Sequence, residues 1–455
     1  MSTNDPTGYE ASWYTATMSG GVRRPRLSFD LDVDVCVVGG GLAGLTTARE
    51  LAARGWSVAL LEAERIGWQA SGRNSGFVLP GFAEAPERII ERVGLEHARA
   101  LWALSESGVD YVRDTILQTG MPGVDPRAGW LEVSKTQDTE AFLARVEVLA
   151  GKLGLDTEVW SIQRVRSVLK TDSYFHGLHY PRAFHIQPLN YALGLAAWAE
   201  QAGARLFENT PALSIDPAGV RKRISTPGGR VRAQHIVLAG NTGLEPLLPE
   251  LAATVFPVTT YTVVTEPLGS RLDDAIAYGG AVSDSQRADS HYRIVDGDRL
   301  LWAGRMTTWE ADPKRYVRAL KAQIRNIYPQ LGSVAVEHAW AGTMGFGVHR
   351  MPQIGEISPG LWLASAFGGQ GINTTAMAGV LIARGIAERD QTWRLFAPYE
   401  LVWAGGAFMR AVLQFSYWGS RARDRIRARL PKRRRPNTGS REDMRNPLPA
   451  PAEEV

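Results

Sequence analysis

Apolar and polar positions fall into a clear order from Asp32 onward. Val33 to Val38 is a short apolar run of the kind a buried strand shows, and Gly39 to Gly44 is a tight turn. Leu45 to Arg54 then sets apolar residues at helical spacing, Gly55 ends that helix, and Ser57 to Glu62 is a second apolar strand. The pattern predicts a strand–helix–strand unit of about 30 residues, the length a parallel crossover needs. A helix-rich stretch from Glu84 to Gln118 follows, then a strand at Gly129–Ser134 and helices at Thr139–Leu153 and Leu189–Gly203. Arg205–Phe207 and His235–Ala239 read as strands. From Thr254 to His338, β-branched and aromatic runs alternate with turn residues, which predicts a mostly antiparallel sheet. Leu361–Ala364 is a short strand, separated by Phe367–Gly371 from a long helix running to about Arg389. Residues 1–30 lack periodicity and read as an arm lying on the body, and the Pro-rich, charged residues 436–455 as a disordered tail.

At 455 residues the chain exceeds what one hydrophobic core supports, so two domains intertwined in sequence are expected. A hydrophobic fraction of 44% and a charged fraction of 22% are ordinary for a folded soluble protein. The net charge of +4 is a local effect. Between Arg421 and Arg435 nine basic residues stand against the single acid Asp424, so the rest of the chain is net acidic. The basic balance therefore argues for no nucleic-acid groove. A lone cysteine, Cys36, lies within the first apolar run and forms no disulfide within the chain; with a polar N-terminus this predicts a cytoplasmic protein.

Gly39, Gly41 and Gly44 satisfy the dinucleotide fingerprint in its full setting of strand, turn, helix, strand and acid. Gly39 makes the turn, Gly41 lets a pyrophosphate approach the backbone, and Gly44 lets helix and strand pack closely. The N–H groups at Leu42 and Ala43 open the helix toward the phosphates. Glu62, followed by Ala63, is placed for an adenosine ribose, and Gly240, just after the strand at His235–Ala239, is a further cofactor-binding candidate. This fingerprint alone leaves FAD and NAD open. A second glycine-rich turn, Gly368-Gly369-Gln370-Gly371-Ile372-Asn373-Thr374, again joins strand to helix, and would favour the negative charge that a reduced isoalloxazine carries at its pyrimidine edge.

With these residues in view the chain resembles the D-amino-acid-oxidase-like FAD-dependent oxidoreductase superfamily, and within it the γ-glutamylputrescine oxidase group. The matching stretches are Val35–Gly41, Leu61–Ala63, Ile66–Gly76, Gln187–Tyr191, Arg299–Arg305, Trp340–Gly342 with Pro352–Gly355, and Gly369–Gly371, the Ala70–Gly76 loop being the most specific. The resemblance implies an α/β fold: a Rossmann-type (glutathione-reductase-like) FAD-binding domain with an inserted antiparallel-sheet α+β substrate domain. It assigns 31–83, 155–253 and 345–398 to the first and 84–154 and 254–344 to the second. It sets Ser71, Gly72, Arg73 and Asn74 beside the flavin, Ala212 at the adenine, and Gly369 to Thr374 at the pyrimidine edge. It also implies oxidation of a C–N bond in a small amine or amino-acid-like substrate, with oxygen or another electron carrier as acceptor. Two departures stand out. Gln370 occupies a position where relatives often have His, and neither the Trp340–Gly345 region nor the Arg73–Gly76 loop offers a Cys or His tether, so non-covalent FAD is expected. A lysine that helps some relatives react with oxygen has Trp302 in its approximate place.

For the substrate, Arg73 and Arg305 are the candidate donor pair, with Tyr261, Tyr292, Trp340 and His349 as candidate walls. His176, His179 and His185 lack an accompanying carboxylate or cysteine pattern, sit in a turn-rich context that favours the surface, and predict no metal. Within residues 399–435, Phe408, Ala411, Val412, Phe415 and Trp418 share one helical face, with Arg410, Gln414, Tyr417 and Arg421 opposite and the basic run following. Such a segment either packs on the body or lies on the inner face of a membrane, and it is too short to span one. Two other functional readings compete: a flavin hydroxylase or NAD-linked dehydrogenase, and a non-catalytic binding or assembly factor that keeps the cofactor pocket.

Overall fold

The first apolar run forms β1 (Leu31–Val38), and after the glycine turn and the helix Leu42–Ala53 the second forms β2 (Val58–Leu61), parallel to it with Val35 opposite Val58. A computed structural model describes residues 9–284, 290–406, 408–416 and 419. From β2 the chain leaves this sheet and begins another: β3 (Phe77–Val78), β4 (Arg127–Val133), β5 (Glu158–Trp160) and β6 (Gly177–His185). It returns for β7 (Arg205–Phe207), β8 (Ser214–Asp216), β9 (Lys222–Thr226) and β10 (Gly229–Leu238). A second excursion adds β11 (Val255–Thr265), β12 (Ala281–Asp284), β13 (His291–Val295), β14 (Arg299–Thr307) and β15 (Val336–Gly347), before β16 (Gln353–Ser358) and β17 (Leu361–Ser365) close the first sheet.

Among the described residues the first sheet has the order β16-β17-β10-β1-β2-β7 with β8 and β9 at its side; β17, β10, β1, β2 and β7 run parallel. The second has the order β15-β11-β14-β13-β12-β4-β6-β3, with β5 on β6, and is antiparallel except where β12 meets β4. These are the parallel nucleotide-binding sheet and the inserted antiparallel sheet expected from the sequence. The helices Leu42–Ala53, Leu95–Thr119 and Gly371–Glu388 pack together on one face of the first sheet, in a core that includes Leu45, Leu51, Val112 and Ile382.

Several boundaries move. Residues 158–185 belong to the second sheet, because β6 pairs with β3 and β4 and not with any Rossmann strand. Conversely, Leu95–Thr119, expected in the substrate domain, packs along Gly371–Glu388. A helix at Lys314–Ile327 interrupts the stretch expected to be mostly sheet, burying Leu320, Ile324 and Ile327 at four- and three-residue steps. The arm lies on the body but is fastened more deeply than its lack of periodicity suggests. Tyr9, Trp13, Tyr14 and Leu27 are buried, and Ser12 caps the short helix Trp13–Ala16, its side chain and that of Thr15 each accepting from the other's backbone N–H. The 436–455 tail lies outside the described residues.

Candidate active site

The glycine turn is a cradle by steric necessity. Gly39 has φ +116°, and a Cβ there would sit 2.7 Å from the Ala239 carbonyl, next to Gly240 on β10's continuation. At Gly44 a Cβ would lie 2.1 Å from the Gly39 oxygen. Only glycine lets strand, turn and helix close this tightly. Gly41 caps the helix Leu42–Ala53 without a side chain, and of the first turn the Leu42 N–H is donated to Ser71 Oγ at 3.0 Å. Ser71, from the short helix Ala70–Arg73, thus lies against the phosphate end of the turn, with Gly72 next to it. The remaining first-turn N–H groups, of Ala43 and Gly44, have no carbonyl four residues back within the helix, the arrangement a pyrophosphate needs.

Glu62 directly follows β2, with its carboxylate accepting the Gly40 N–H at 2.6 Å and the Glu64 N–H at 2.9 Å. Burial holds its carboxyl above the usual glutamate range, although both backbone donors favour the anion. The Glu62 carbonyl accepts from Thr210 N–H, which brings the Pro211-Ala212 segment beside Ala63, and adenine contacts are expected there. Beneath this loop, Glu208 is fully buried. It accepts from Arg65 Nε at 2.9 Å, Ile66 N–H at 2.9 Å and Arg24 N–H at 3.0 Å, so one carboxylate ties β7, the post-β2 loop and the N-terminal arm together.

The second glycine turn stands at the other end. Gly369 and Gly371 have open space around them, and Gln370 half-buries a side chain whose Oε1 has no hydrogen-bond partner among the described residues. Ile372, Asn373 and Thr374 are buried. Asn373 Nδ2 donates to the Gly81 and Ser105 carbonyls and Thr374 Oγ1 to the Gln370 carbonyl, so their side chains brace the turn and leave its backbone facing outward. Asn74 acts likewise: its amide donates to the Ala70 and Ser71 carbonyls and accepts the Gly76 N–H. A turn with a buried, partnerless acceptor and an uncapped helix start fits a flavin's pyrimidine edge, with its N–H and carbonyls.

Arg73 is buried at the junction of the two sheets. Its Nη1 donates to Glu10 at 2.9 Å, while Nη2 is buried with no partner among the described residues. Trp340, on β15, donates its indole N–H to the Arg73 carbonyl at 3.0 Å and meets Tyr14 edge-on at 5.1 Å. Arg305 is half-buried with φ +61°, the extra residue of a β-bulge where β14 slips against β11, a device that re-aims a side chain. Tyr261 lies elsewhere. It pairs with Ala341, one residue from Trp340, and therefore takes the opposite face of the sheet; its hydroxyl bonds Thr307 and the Ala311 N–H inside the far core. Tyr292 and Trp302 stack at 4.4 Å in that same core. His349 pairs with Arg92 beside a surface cavity of about 400 Å³ that Glu84 and Arg88 also line.

Three residues join Trp340 unforeseen. Tyr14 Oη donates to the Asn74 carbonyl at 2.8 Å and accepts from Arg293 Nη2 at 3.2 Å. Arg293 also donates to His185 Nδ1 at 2.8 Å, and since an arginine always donates, His185 carries its proton on Nε2 and gives it to the Gly279 carbonyl at 3.1 Å. Burial first, and Arg293 second, hold the His185 imidazole well below its ordinary range. His185 is thus a core residue where a surface histidine was expected. His176 stacks on Phe142 and His179 on Trp160. The sequence signal for Tyr14 was the Ser12-x-x-Thr15 cap amid aromatics, and for Arg293 a cation at an inward position of an alternating strand.

The family described as FAD dependent oxidoreductase matches residues 34–384. Gamma-glutamylputrescine oxidoreductase of Escherichia coli is 31% identical over 89% of this chain and 95% of its own, and the probable oxidoreductase OrdL of Haemophilus influenzae 28% identical over 85% and 90%. Among solved structures, glycine oxidase from Geobacillus kaustophilus superposes with a TM-score of 0.68 at 22% identity, covering 82% of this chain and 99% of that one.

Proposed function

The chain belongs to the FAD-dependent oxidoreductase family, and from that premise we propose that it oxidises a carbon–nitrogen bond in a small amine or amino-acid-like molecule. Bound FAD supplies the two-electron acceptor for a hydride from the substrate's α-carbon, and the imine so formed hydrolyses to a carbonyl product. The observation that carries the reading is Arg73. Its guanidinium is buried one residue beyond the Ser71-Gly72 cradle, with one nitrogen still lacking an acceptor, where a substrate carboxylate or amide would bind. Trp340 forms the wall above it, and Arg305 is the second donor. Excluding water and orienting a neutral amine is the chain's main contribution; no strong base is required. The cofactor is held without a covalent bond. The lone thiol of Cys36 is buried inside β1, where burial pushes it up and out of reach. The relative named for γ-glutamylputrescine supports an amine bearing a γ-glutamyl group as the first compound to try.

An anaerobic absorbance titration of the purified protein with amines and amino acids, followed by air, tests this. Bleaching of the flavin band by one compound supports the proposal, and its return in air identifies oxygen as the acceptor; a flavin band that no amine bleaches overturns it. Arg73→Lys, which loses the planar fork, is expected to raise KM at least about tenfold while leaving the flavin spectrum in place.

A further inference from the structure

We propose that residues 401–416 are a docking face for an anionic membrane surface. The helix over residues 408–416 is attached to the body by its polar edge. Gln414 is 2% exposed and its Oε1 accepts the Thr308 N–H at 3.0 Å; Thr308 Oγ1 donates to the Arg410 carbonyl at 3.1 Å; and the Ala404 N–H reaches the Ala253 carbonyl at 2.8 Å. The opposite face is apolar and turned outward. Phe408 is 76% exposed and Val412, one turn on, 43%, with Phe415 on the same face; just before them Trp403 is 69% exposed, beside Leu401 and Val402. A helix that served only to cover the body would bury this face and expose Gln414. Here the order is inverted.

Charge selects the occupant. The chain continues directly into the Arg421–Arg435 run, where nine basic residues stand against one acid. Apolar and aromatic side chains followed by a polybasic run match the two terms of interfacial binding, insertion at the headgroup boundary and attraction to anionic lipid. A second copy of the chain is a poorer occupant, since pairing through this face brings two such runs together. No helix among the described residues is long and apolar enough to cross a membrane, so the contact is peripheral. Thr308 directly follows β14, which carries Arg305, so the docked face is continuous with the substrate sheet.

The test uses the full chain, sedimented with vesicles of phosphatidylcholine alone or with about 30% phosphatidylserine. The expected result is pelleting with the anionic vesicles only, reduced at least about tenfold in the Trp403→Ser/Phe408→Ser variant, whose melting temperature and flavin content are unchanged. Absence of pelleting with anionic vesicles overturns the proposal, as does equal pelleting with neutral ones. Undiminished binding of the double variant overturns it in favour of attraction by the basic run alone, and a doubled solution mass that the double variant abolishes overturns it in favour of a second copy.

Discussion

The two ends of the described chain are built from similar material and put to opposite use. Each carries a cluster of aromatic residues around a short helix, Tyr9, Trp13 and Tyr14 at one end and Trp403, Phe408 and Phe415 at the other. The first cluster is folded into the main core and braces the Asn74 carbonyl and Trp340. The second is hung on the body by Gln414 and a few backbone contacts, with its rings outward. The lesson is that aromatic content does not decide burial. What decides it is whether polar anchors exist nearby to fix the segment facing inward: Glu208 for Arg24, Asn190 for Ser19 and Thr17, Arg293 for Tyr14.

The contrast can be broken by measurement, and the largest expected effect is at the shared anchor. Glu208→Ala takes the carboxylate from the buried Arg65 guanidinium and releases the arm, and should cost about 3–5 kcal/mol in urea unfolding; a cost below about 1 kcal/mol would mean that the arm is not fastened there. Tyr14→Phe removes a hydroxyl that both donates and accepts, taking from the half-buried Asn74 carbonyl its Tyr14 donor and from the buried Arg293 an acceptor, and should cost about 1–3 kcal/mol. A gentler effect is set by pH. Because the folded His185 titrates well below its ordinary value of 6.5, the stability it contributes is present above that value and is lost as pH falls below it, where the unfolded chain takes up a proton that the fold resists. Protection of the amides of residues 13–16 against hydrogen exchange, taken relative to the intrinsic rate at each pH, should therefore fall below the ordinary histidine range, with no matching change at residues 408–416. The smallest effect belongs to the outward cluster: Phe408→Ser should shift stability by no more than about 0.5 kcal/mol, and a loss comparable to that of Tyr14→Phe would erase the distinction between the two ends.

What was legible in the sequence was local or carried by motif. Gly39, Gly41, Gly44 and Glu62 lie within one strand–helix–strand unit, so spacing alone brings them together, and the same holds for Gly369 to Thr374 at a single strand-to-helix turn. Assignment of strands to sheets was less legible: β6 lies in a stretch read as turn-rich, so neither the strand nor its neighbours were foreseen, hence the shift of residues 158–185. Tyr261 was misplaced for a related reason. It is one register step from the face that Trp340 occupies, and a period of two cannot say which face is the inner one. The arm was read as lying on the body, but not how deeply it is fastened, because its partners lie far along the chain, Glu200, Glu208 and Arg293 among them.

The repeated crossing between the two sheets has a consequence for how the molecule comes into being. β1 is flanked by β2, which follows it closely, and by β10, where Val35 faces His235 across two hundred positions; β10 in turn waits for β17 near residue 361. On the ribosome, the first sheet therefore remains an open edge through most of synthesis, and the cradle has no second turn until more than four-fifths of these residues have been made. Such high contact order slows assembly and keeps unpaired strands exposed to aggregation, and it defers a complete cofactor cradle to the synthesis of the second glycine turn.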